Sequence, residues 1–229
     1  TSLKAHTYNI ENGNVVETKV DVKGAVFKDK IDRNHTVKTF TFPNIKEGSI
    51  IEYEYKLKSD FIFNLQPWNF QGEYPCLWSE YTVSMPEFFY YVTLSQGYQH
   101  FYIRDKKDKA GNFSVTNDGG AGAASRSTFN ANITEYRWVM KDVPAIKEES
   151  YTSSISNHLA RIEFQLAEAR YPLPPRNIMA NWAEVCSELL KDEEFGSMLT
   201  RDNSWLNDAV EEAIHGANSD LQKARSIFE

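Results

Sequence analysis

The chain has 229 residues, among them 14 Phe, 12 Tyr and 5 Trp, and a formal net charge of -7. The acidic balance argues against a nucleic-acid partner, because proteins that bind nucleic acid concentrate Lys and Arg against the phosphates. No apolar run approaches the roughly 18 residues of a membrane-spanning helix. Aromatic residues favour pleated, half-buried surfaces, so we expect a chain rich in β-structure without a membrane span.

The first predicted hairpin covers residues 8–20, where Asn12-Gly13-Asn14 forms a turn that tolerates positive φ. A weaker strand follows at residues 25–28. The most regular pattern is a second hairpin, in which strands at residues 37–42 and 50–57 are joined by a turn segment. The strand at 50–57 alternates between an apolar and a charged face: Ile51, Tyr53, Tyr55 and Leu57 against Glu52, Glu54 and Lys56. This period of two is typical of a half-buried antiparallel strand.

The middle of the chain repeats short apolar segments between turn signals. Residues 60–75 lack a clean period and are interpreted as a long connection, residues 105–111 as a charged turn, and residues 117–127 as a mobile Gly/Ala/Ser-rich loop. Strands are predicted at residues 77–85, 88–94, 100–104, 112–116, 129–133, 135–140 and 159–166. The last of these also fits a helix, but its alternation is the cleaner pattern. This spacing predicts an antiparallel β-sandwich, immunoglobulin-like or larger, over residues 1–171.

A proline-rich break at residues 172–175 separates the sandwich from a short α-helical segment that extends to residue 229. Its first helix has an apolar face formed by Ile178, Trp182, Val185, Cys186, Leu189 and Leu190. A second apolar face is formed by Leu206, Val210, Ala213 and Ile214. Gly216 provides a helix stop, and Ser219 with Gln222 forms a capping box for a third helix.

The cysteines offer no nucleophile pattern. Catalytic thiols lie at helix N-termini or beside an imidazole, whereas Cys186 falls in mid-helix on the apolar face and predicts a buried packing residue. Cys76, in Pro75-Cys76-Leu77-Trp78, marks the structural start of a strand. The two thiols are too few and too far apart to predict a disulfide framework or a metal site.

Other candidate groups also favour structural roles. The five histidines lack metal-ligand spacing and are expected on the surface: His6, His35, His100, His158 and His215. Glu52 with Glu54, or Glu148 with Glu149, could in principle form a glycosidase pair. Glu52 and Glu54 share a strand face with Lys56, however, and indicate a solvated sheet surface. The glycine-rich run at residues 118–122 lacks the features of a phosphate loop. We therefore predict no metal, no cofactor and no catalytic residue.

Four aromatic residues are the best candidates for a binding role: Trp68, Phe70, Tyr74 and Trp78. The simplest interpretation is that they fill the gap between two sheets. The alternatives are docking to a neighbouring domain, or a groove for a glycan or peptide ligand, because Trp and Tyr stack on sugar rings and anchor protein interfaces.

The chain resembles a bacterial family of unknown function whose domain lies N-terminal to a transglutaminase-like, papain-related domain in large envelope or secreted proteins. The matching runs are residues 5–13 (AHTYNIENG), 42–55 (FPNIKEGSIIEYEY), 68–71 (WNFQ), 142–149 (DVPAIKEE), 161–166 (RIEFQL) and 194–196 (EFG). Residues 220–228 (DLQKARSIF) are similar to the opening helix of the transglutaminase-like domain.

This resemblance implies a scaffold or substrate-presenting domain without catalytic residues, located in the periplasm, the cell envelope or outside the cell. Its partner would be the transglutaminase-like domain of the same polypeptide, whose Cys, His and Asp would lie beyond Glu229. Residues 172–229 would then be a helical linker and the start of that truncated domain. The alternative is an independent carbohydrate- or peptide-binding module that uses Trp68, Tyr74 and Trp78.

Overall fold

The computed structural model describes residues 2–24, 26–32, 35–59, 61–63, 65–117, 125–152, 154–179, 181–193 and 195–228. The chain divides into two compact units, Thr1–Asn64 and Leu65–Glu229. Antiparallel strands dominate both units, and short helices follow them near the C-terminus. The predicted fold class is confirmed, while the domain boundary at residues 171/172 stays a prediction.

The described part of the first unit contains five strands in two sheets. Strand order is β2-β1-β5 in one sheet, and β3 pairs with β4 in the other. The strands are β1 (Ser2–Glu11), β2 (Asn14–Lys19), β3 (Val26–Lys30), β4 (Thr36–Phe40) and β5 (Ile50–Lys56). The predicted first hairpin is confirmed as β1 and β2, with Asn12 and Gly13 at φ values of 51° and 79° in its turn.

The second predicted hairpin is wrong in its pairing. Its two strands exist, but β4 pairs with β3 and β5 pairs with β1. The reason is a buried amide on β1: Asn9, 4% exposed, donates to the Asn44 carbonyl at 2.9 Å and accepts from the Ser49 hydroxyl at 2.6 Å. A buried amide needs such partners, so the connection is tied to β1 and delivers β5 beside it.

The second unit is built on two sheets. One has the order β7-β10-β9; in the other, β11 pairs with β8, β6 and β12. The strands are β6 (Trp68–Asn69), β7 (Cys76–Pro86), β8 (Phe89–Gln96), β9 (Ile103–Asn117), β10 (Ser125–Val143), β11 (Arg161–Ala169) and β12 (Arg176–Asn177). The prediction of a strand rather than a helix around residues 159–166 is confirmed by β11.

Aromatic side chains fill the space between these two sheets. The ring of Phe164 on β11 lies 5.6 Å from Tyr81 on β7 and 5.7 Å from Trp138 on β10, measured between centroids. Trp138 is 3% exposed and Ile162 is 1% exposed. Burial of one such large apolar side chain stabilises a fold by roughly 1.5–3 kcal/mol, so this aromatic layer holds the sandwich together.

The predicted charged turn at residues 105–111 is also wrong, because β9 runs through it without interruption. Its charges find partners on β10: Asp105 lies opposite Arg137, and Lys109 contacts Glu135 at 3.0 Å. In the described sheet β9 is an edge strand, where charged side chains are well tolerated. Of the predicted loop at 117–127, residues 118–124 lie outside the described residues.

Among the described residues after the sandwich, four short helices are present: α1 (Trp182–Lys191), α2 (Ser197–Thr200), α3 (Asn207–Ala213) and α4 (Asp220–Phe228). Single 3-10 turns occur at Ile155–Asn157 and Ser204–Leu206. Gly216, at φ 84°, follows α3 as predicted. The Ser219 hydroxyl accepts from the Gln222 backbone amide at 3.3 Å, which confirms Ser219 as the N-cap. The Gln222 side chain accepts from the Asn218 amide at 2.8 Å, one residue before the amide that a regular capping box engages. No helix in the described ranges is both long and apolar enough to cross a membrane.

Candidate functional site

One end of the sandwich gathers three connections. The antiparallel registers bring the beginnings of β7, β9 and β11 to the same end as the last residues of β8 and β10. The described parts of the connections that meet there are residues 70–75, residues 97–102, and residues 144–152 with 154–160. Loops carried by a rigid β scaffold are where binding residues concentrate, so this end is the first place to look for a site.

Hydrogen bonds tie these three connections to one another. The Gln71 amide group donates to the Pro144 carbonyl at 3.0 Å and accepts from the Ala160 amide at 3.3 Å. The backbone amide of Ile146 donates to the Gly72 carbonyl at 2.9 Å. Both polar ends of the Gln71 side chain are thus engaged, which fixes the loops relative to the sheets.

Gly97 allows the 97–102 connection to lie directly on the start of β11. Its φ of 93° suits glycine, and a Cβ there would lie 2.5 Å from Ala160 Cα and 2.8 Å from Ala160 N. The preceding Gln96 side chain donates to the Ser156 carbonyl at 2.6 Å. The position of the next residues, Tyr98 and Gln99, is therefore set by backbone contacts.

A cleft of about 300 Å³ lies among these segments. We call it the loop-end cleft; its walls are formed by Gln71, Tyr98, Gln99, Ile146, Lys147, Glu149, Thr152, Ile155 and His158. Among the described residues, the side chains of Lys147, Glu149 and His158 form no hydrogen bond or ion pair. Uncommitted charged groups that converge on a concave surface are typical of a ligand site.

Two of the four predicted aromatic residues lie in the core. Phe70 is 2% exposed and packs edge-on against Phe101, with ring centroids 5.5 Å apart. Trp68 is half-buried, its indole N–H donates to the Ser79 hydroxyl at 3.1 Å, and its ring stacks on Tyr81 at 5.7 Å. Both fill the space between the sheets, as the simplest interpretation of the sequence expected.

The other two aromatic residues face solvent. Tyr74 is 80% exposed and Trp78 is 46% exposed. The ring of Trp78 meets Tyr102 edge-on at 5.9 Å, and the Lys141 ammonium lies 5.7 Å from the centre of the Tyr102 ring. The Trp78–Tyr102 pair is therefore an exposed aromatic surface beside the loop end.

A charge network continues from Trp78 along the outer face of the β7-β10-β9 sheet. Arg137 donates to both carboxylate oxygens of Glu80, at 2.7 Å and 2.9 Å, and the Trp78 indole N–H donates to Glu80 at 3.0 Å. These hydrogen bonds, with that from Arg137 the strongest, hold the pKa of Glu80 below its usual value. The network fixes Trp78 in orientation.

Comparison with known families adds one match. A family described as a domain of unknown function with a solved structure, DUF3857, matches residues 1–147. The chain belongs to the DUF3857 family. No curated protein and no solved structure matches the chain. The DUF3857 match covers the first unit and the second unit as far as Lys147, at the edge of the loop-end cleft.

In this DUF3857 protein the two thiols have different surroundings. Cys76 begins β7 as predicted; its thiol donates to the Trp78 carbonyl at 3.3 Å, and its side chain packs on the core. The prediction for Cys186 is wrong, because this residue is exposed. No residue of α1 is buried, so the apolar face that includes Cys186 is largely open to solvent among the described residues.

The remaining predicted groups lie on exposed or partly exposed surfaces of the DUF3857 chain. His6 pairs with Glu17 at 2.5 Å and His35 with Asp32 at 2.8 Å. Glu54 pairs with Lys4 at 3.5 Å, in agreement with a solvated sheet face. In the described ranges no group of three His, Cys, Asp or Glu residues is placed to hold a metal ion.

The loop-end cleft of this DUF3857 protein was missed by reasoning from the sequence. Residues 142–149 were noticed as a matching run, and Glu148 with Glu149 only as a possible carboxylate pair, so no binding role was assigned to Lys147 and Glu149. The useful signal was the long connection between β10 and β11, since loops of more than about 12–15 residues in compact domains are often functional. Tyr98 and Gln99 reach the cleft from another connection and had no such signal.

Proposed function

We propose that this chain is a non-catalytic scaffold that orients a transglutaminase-like domain of the same polypeptide and presents substrates to it, in the periplasm, the cell envelope or outside the cell. The observation that carries this proposal is the uncovered apolar surface of the helical segment. The family resemblance supplies the partner, because domains of this kind precede transglutaminase-like domains.

Helix α1 is well formed but has no residue in the protein interior. The Asn181 side chain caps it by accepting from the Glu184 amide at 3.0 Å. Its apolar stripe is exposed, with Trp182 at 85%, Leu190 at 55% and Leu189 at 46%. Short helices are marginal in water without an amphipathic face packed on a partner, so this stripe fits an interface.

Helix α4 has the same character. Leu221 is 78% exposed, Ile227 is 55% exposed and Phe228 is 92% exposed. Exposed apolar stripes of this kind mark sites of protein contact. We use the name helical docking surface for two stripes together: Trp182, Cys186, Leu189 and Leu190 on α1, and Leu221 and Phe228 on α4.

The setting of the thiols supports a role without nucleophilic catalysis. Cys76 directs its thiol to a backbone carbonyl and packs against the core. Cys186 lies in the middle of α1 and not at the helix N-terminus, where nucleophilic thiols are commonly placed. In the proteins that this chain resembles, the catalytic residues belong to the transglutaminase-like domain.

The test is binding between this chain and the separately purified transglutaminase-like domain, measured by isothermal titration calorimetry. We expect the double variant Trp182→Ser/Leu189→Ser to weaken binding by at least about tenfold, since buried aromatic and leucine anchors dominate interface energies. Lys191→Gln, on the same helix but outside the docking surface, is the matched control and should bind as the parent does. Equal affinity of the double variant and the parent would refute the proposal.

A second candidate function is favoured by the exposed Trp78–Tyr102 pair, which suits an independent carbohydrate- or peptide-binding module. Flat aromatic rings with nearby hydrogen-bonding groups stack on sugar faces, and Trp78 is held in place by Glu80. Because Trp68 lies in the core, such a site would use Trp78 and Tyr102 instead. A glycan array probed with the parent and with Trp78→Ala distinguishes the two proposals. Only the binding-module proposal requires that the parent bind glycans on the array and that Trp78→Ala abolish this binding.

A further inference from the structure

We propose that the loop-end cleft binds a short peptide with a free amino group and a free carboxylate. The cleft is separate from the helical docking surface and from the Trp78–Tyr102 pair. The inference of peptide binding at the cleft does not depend on whether the helical segment docks to a further domain.

The charges around the cleft match a zwitterion. Lys147 supplies a cation and His158 a donor for a carboxylate, while Glu149 supplies an acceptor for an ammonium group. A ligand that was only anionic would gain nothing from Glu149. A neutral sugar would gain little from opposite charges held on one cleft.

The neutral lining matches the middle of a peptide. The Gln99 side chain has a donor and an acceptor, as a peptide group has, and it forms no hydrogen bond with another described residue. Half-buried Ile146 and Ile155 provide apolar wall. A volume of about 300 Å³ is at the lower end of the range for small-ligand pockets, which suits a di- or tripeptide.

The uncommitted charges of the cleft contrast with several ion pairs elsewhere in the second unit. On the sheet faces Glu80 pairs with Arg137, Glu135 with Lys109 and Glu168 with Arg170. Lys147 and Glu149 are only two positions apart in sequence, yet they do not pair with each other in the described chain. Their side chains are therefore available to a ligand at no cost of a broken ion pair.

The backbone around the cleft is preorganised. Gln71 bridges two connections through both ends of its side chain, and Gly97 lies on Ala160 at a distance that leaves no room for a Cβ. A site that is already in place loses less conformational entropy on binding, which favours measurable affinity for a small ligand.

The experiment titrates the full chain with the tripeptide Ala-Leu-Ala and follows binding by NMR chemical shifts. Saturable binding at millimolar concentrations is expected, with the shifts confined to residues of the three connections. N-acetylation and C-amidation of the peptide should each weaken binding by roughly three- to tenfold, as expected for loss of one partly exposed charge-assisted hydrogen bond.

Two variants assign the charges. Glu149→Gln should weaken binding of the free tripeptide but not of its N-acetylated form, and Lys147→Gln should weaken the free form but not the C-amidated form. Lys107→Gln, on the outer face of β9, is the matched control. The proposal is overturned if the free tripeptide does not bind, if the capped peptides bind equally well, or if the variants weaken free and capped peptides alike. The N-acetylated and C-amidated peptides are titrated against the parent protein. This part of the test therefore does not require that the variants fold.

Discussion

Gly97 provides the sharpest stability test of the loop end, and the change to make is Gly97→Ala. The φ of 93° at this position strains any residue with a Cβ, at roughly 1–2 kcal/mol. The new Cβ would also lie 2.5 Å from Ala160 Cα. Because that neighbour is backbone and not a flexible side chain, relief requires a shift of β11, and overpacking of this kind costs about 1–3 kcal/mol.

The two contributions together predict that Gly97→Ala lowers the free energy of unfolding by about 2–5 kcal/mol. Two other glycines separate the causes. Gly216, at φ 84° with open space around its Cβ position, should lose only the strain of about 1 kcal/mol on change to alanine. Gly72 has open space and no positive φ, so Gly72→Ala should change stability by less than about 0.5 kcal/mol.

The assay is urea unfolding followed by tryptophan fluorescence. All five tryptophans lie in the second unit, so the signal reports on the sandwich and its helical segment. Midpoints shift with stability when the slope of the transition is unchanged. If Gly97→Ala unfolds within about 0.5 kcal/mol of Gly72→Ala, the close approach of the 97–102 connection to β11 is refuted.

Two further predictions concern the aromatic residues and the charge network. Phe70→Ala should lower the free energy of unfolding by about 3–5 kcal/mol, because it leaves a cavity at a buried position. Tyr74→Ala, at an exposed position, should change it by less than about 0.5 kcal/mol. Equal effects of the two variants in urea unfolding would contradict the placement of these residues. Glu80→Gln should lower the free energy of unfolding at pH 7. The pKa of Glu80 is depressed in the folded chain, so its ionised carboxylate stabilises the fold at every pH above the ordinary pKa of 4.5. That stabilisation is lost as the pH falls through the lower folded-state pKa, so the parent and Glu80→Gln should converge in unfolding curves recorded at decreasing pH, whereas a constant gap would refute the account. Exposed Glu211→Gln is the control.

Periodicity in the sequence predicted strands better than it predicted their partners. The alternation at residues 50–57 correctly indicates β5, but the choice of β1 as its neighbour depends on Asn9, whose amide binds the 44–49 segment from a distance of about 40 positions. No local pattern contains that information. The charged residues of β9 were misinterpreted because their partners, Arg137 and Glu135, lie on another strand.

The same limit applies to the candidate site. Phe70 and Trp68 were correctly expected between the sheets, because large aromatic residues dominate cores. The loop-end cleft combines three connections that are adjacent only after β7, β8, β10 and β11 have paired. Cys186 was expected to be buried because its helix is amphipathic, but a stripe indicates only that burial is favourable and not that a partner is present.

Cys186 provides the most direct test of the central claim, that the helical docking surface covers a transglutaminase-like domain. Its thiol is exposed in this chain and lies within the apolar stripe of α1. We expect iodoacetamide to alkylate Cys186 at least about tenfold more slowly in a polypeptide that joins this chain to the proposed transglutaminase-like domain than in this chain by itself, because an interface that excludes water also excludes the reagent. Cys76, packed on the core, is the internal control, and its rate should be the same in both. Equal rates for Cys186 in the two proteins would contradict the account.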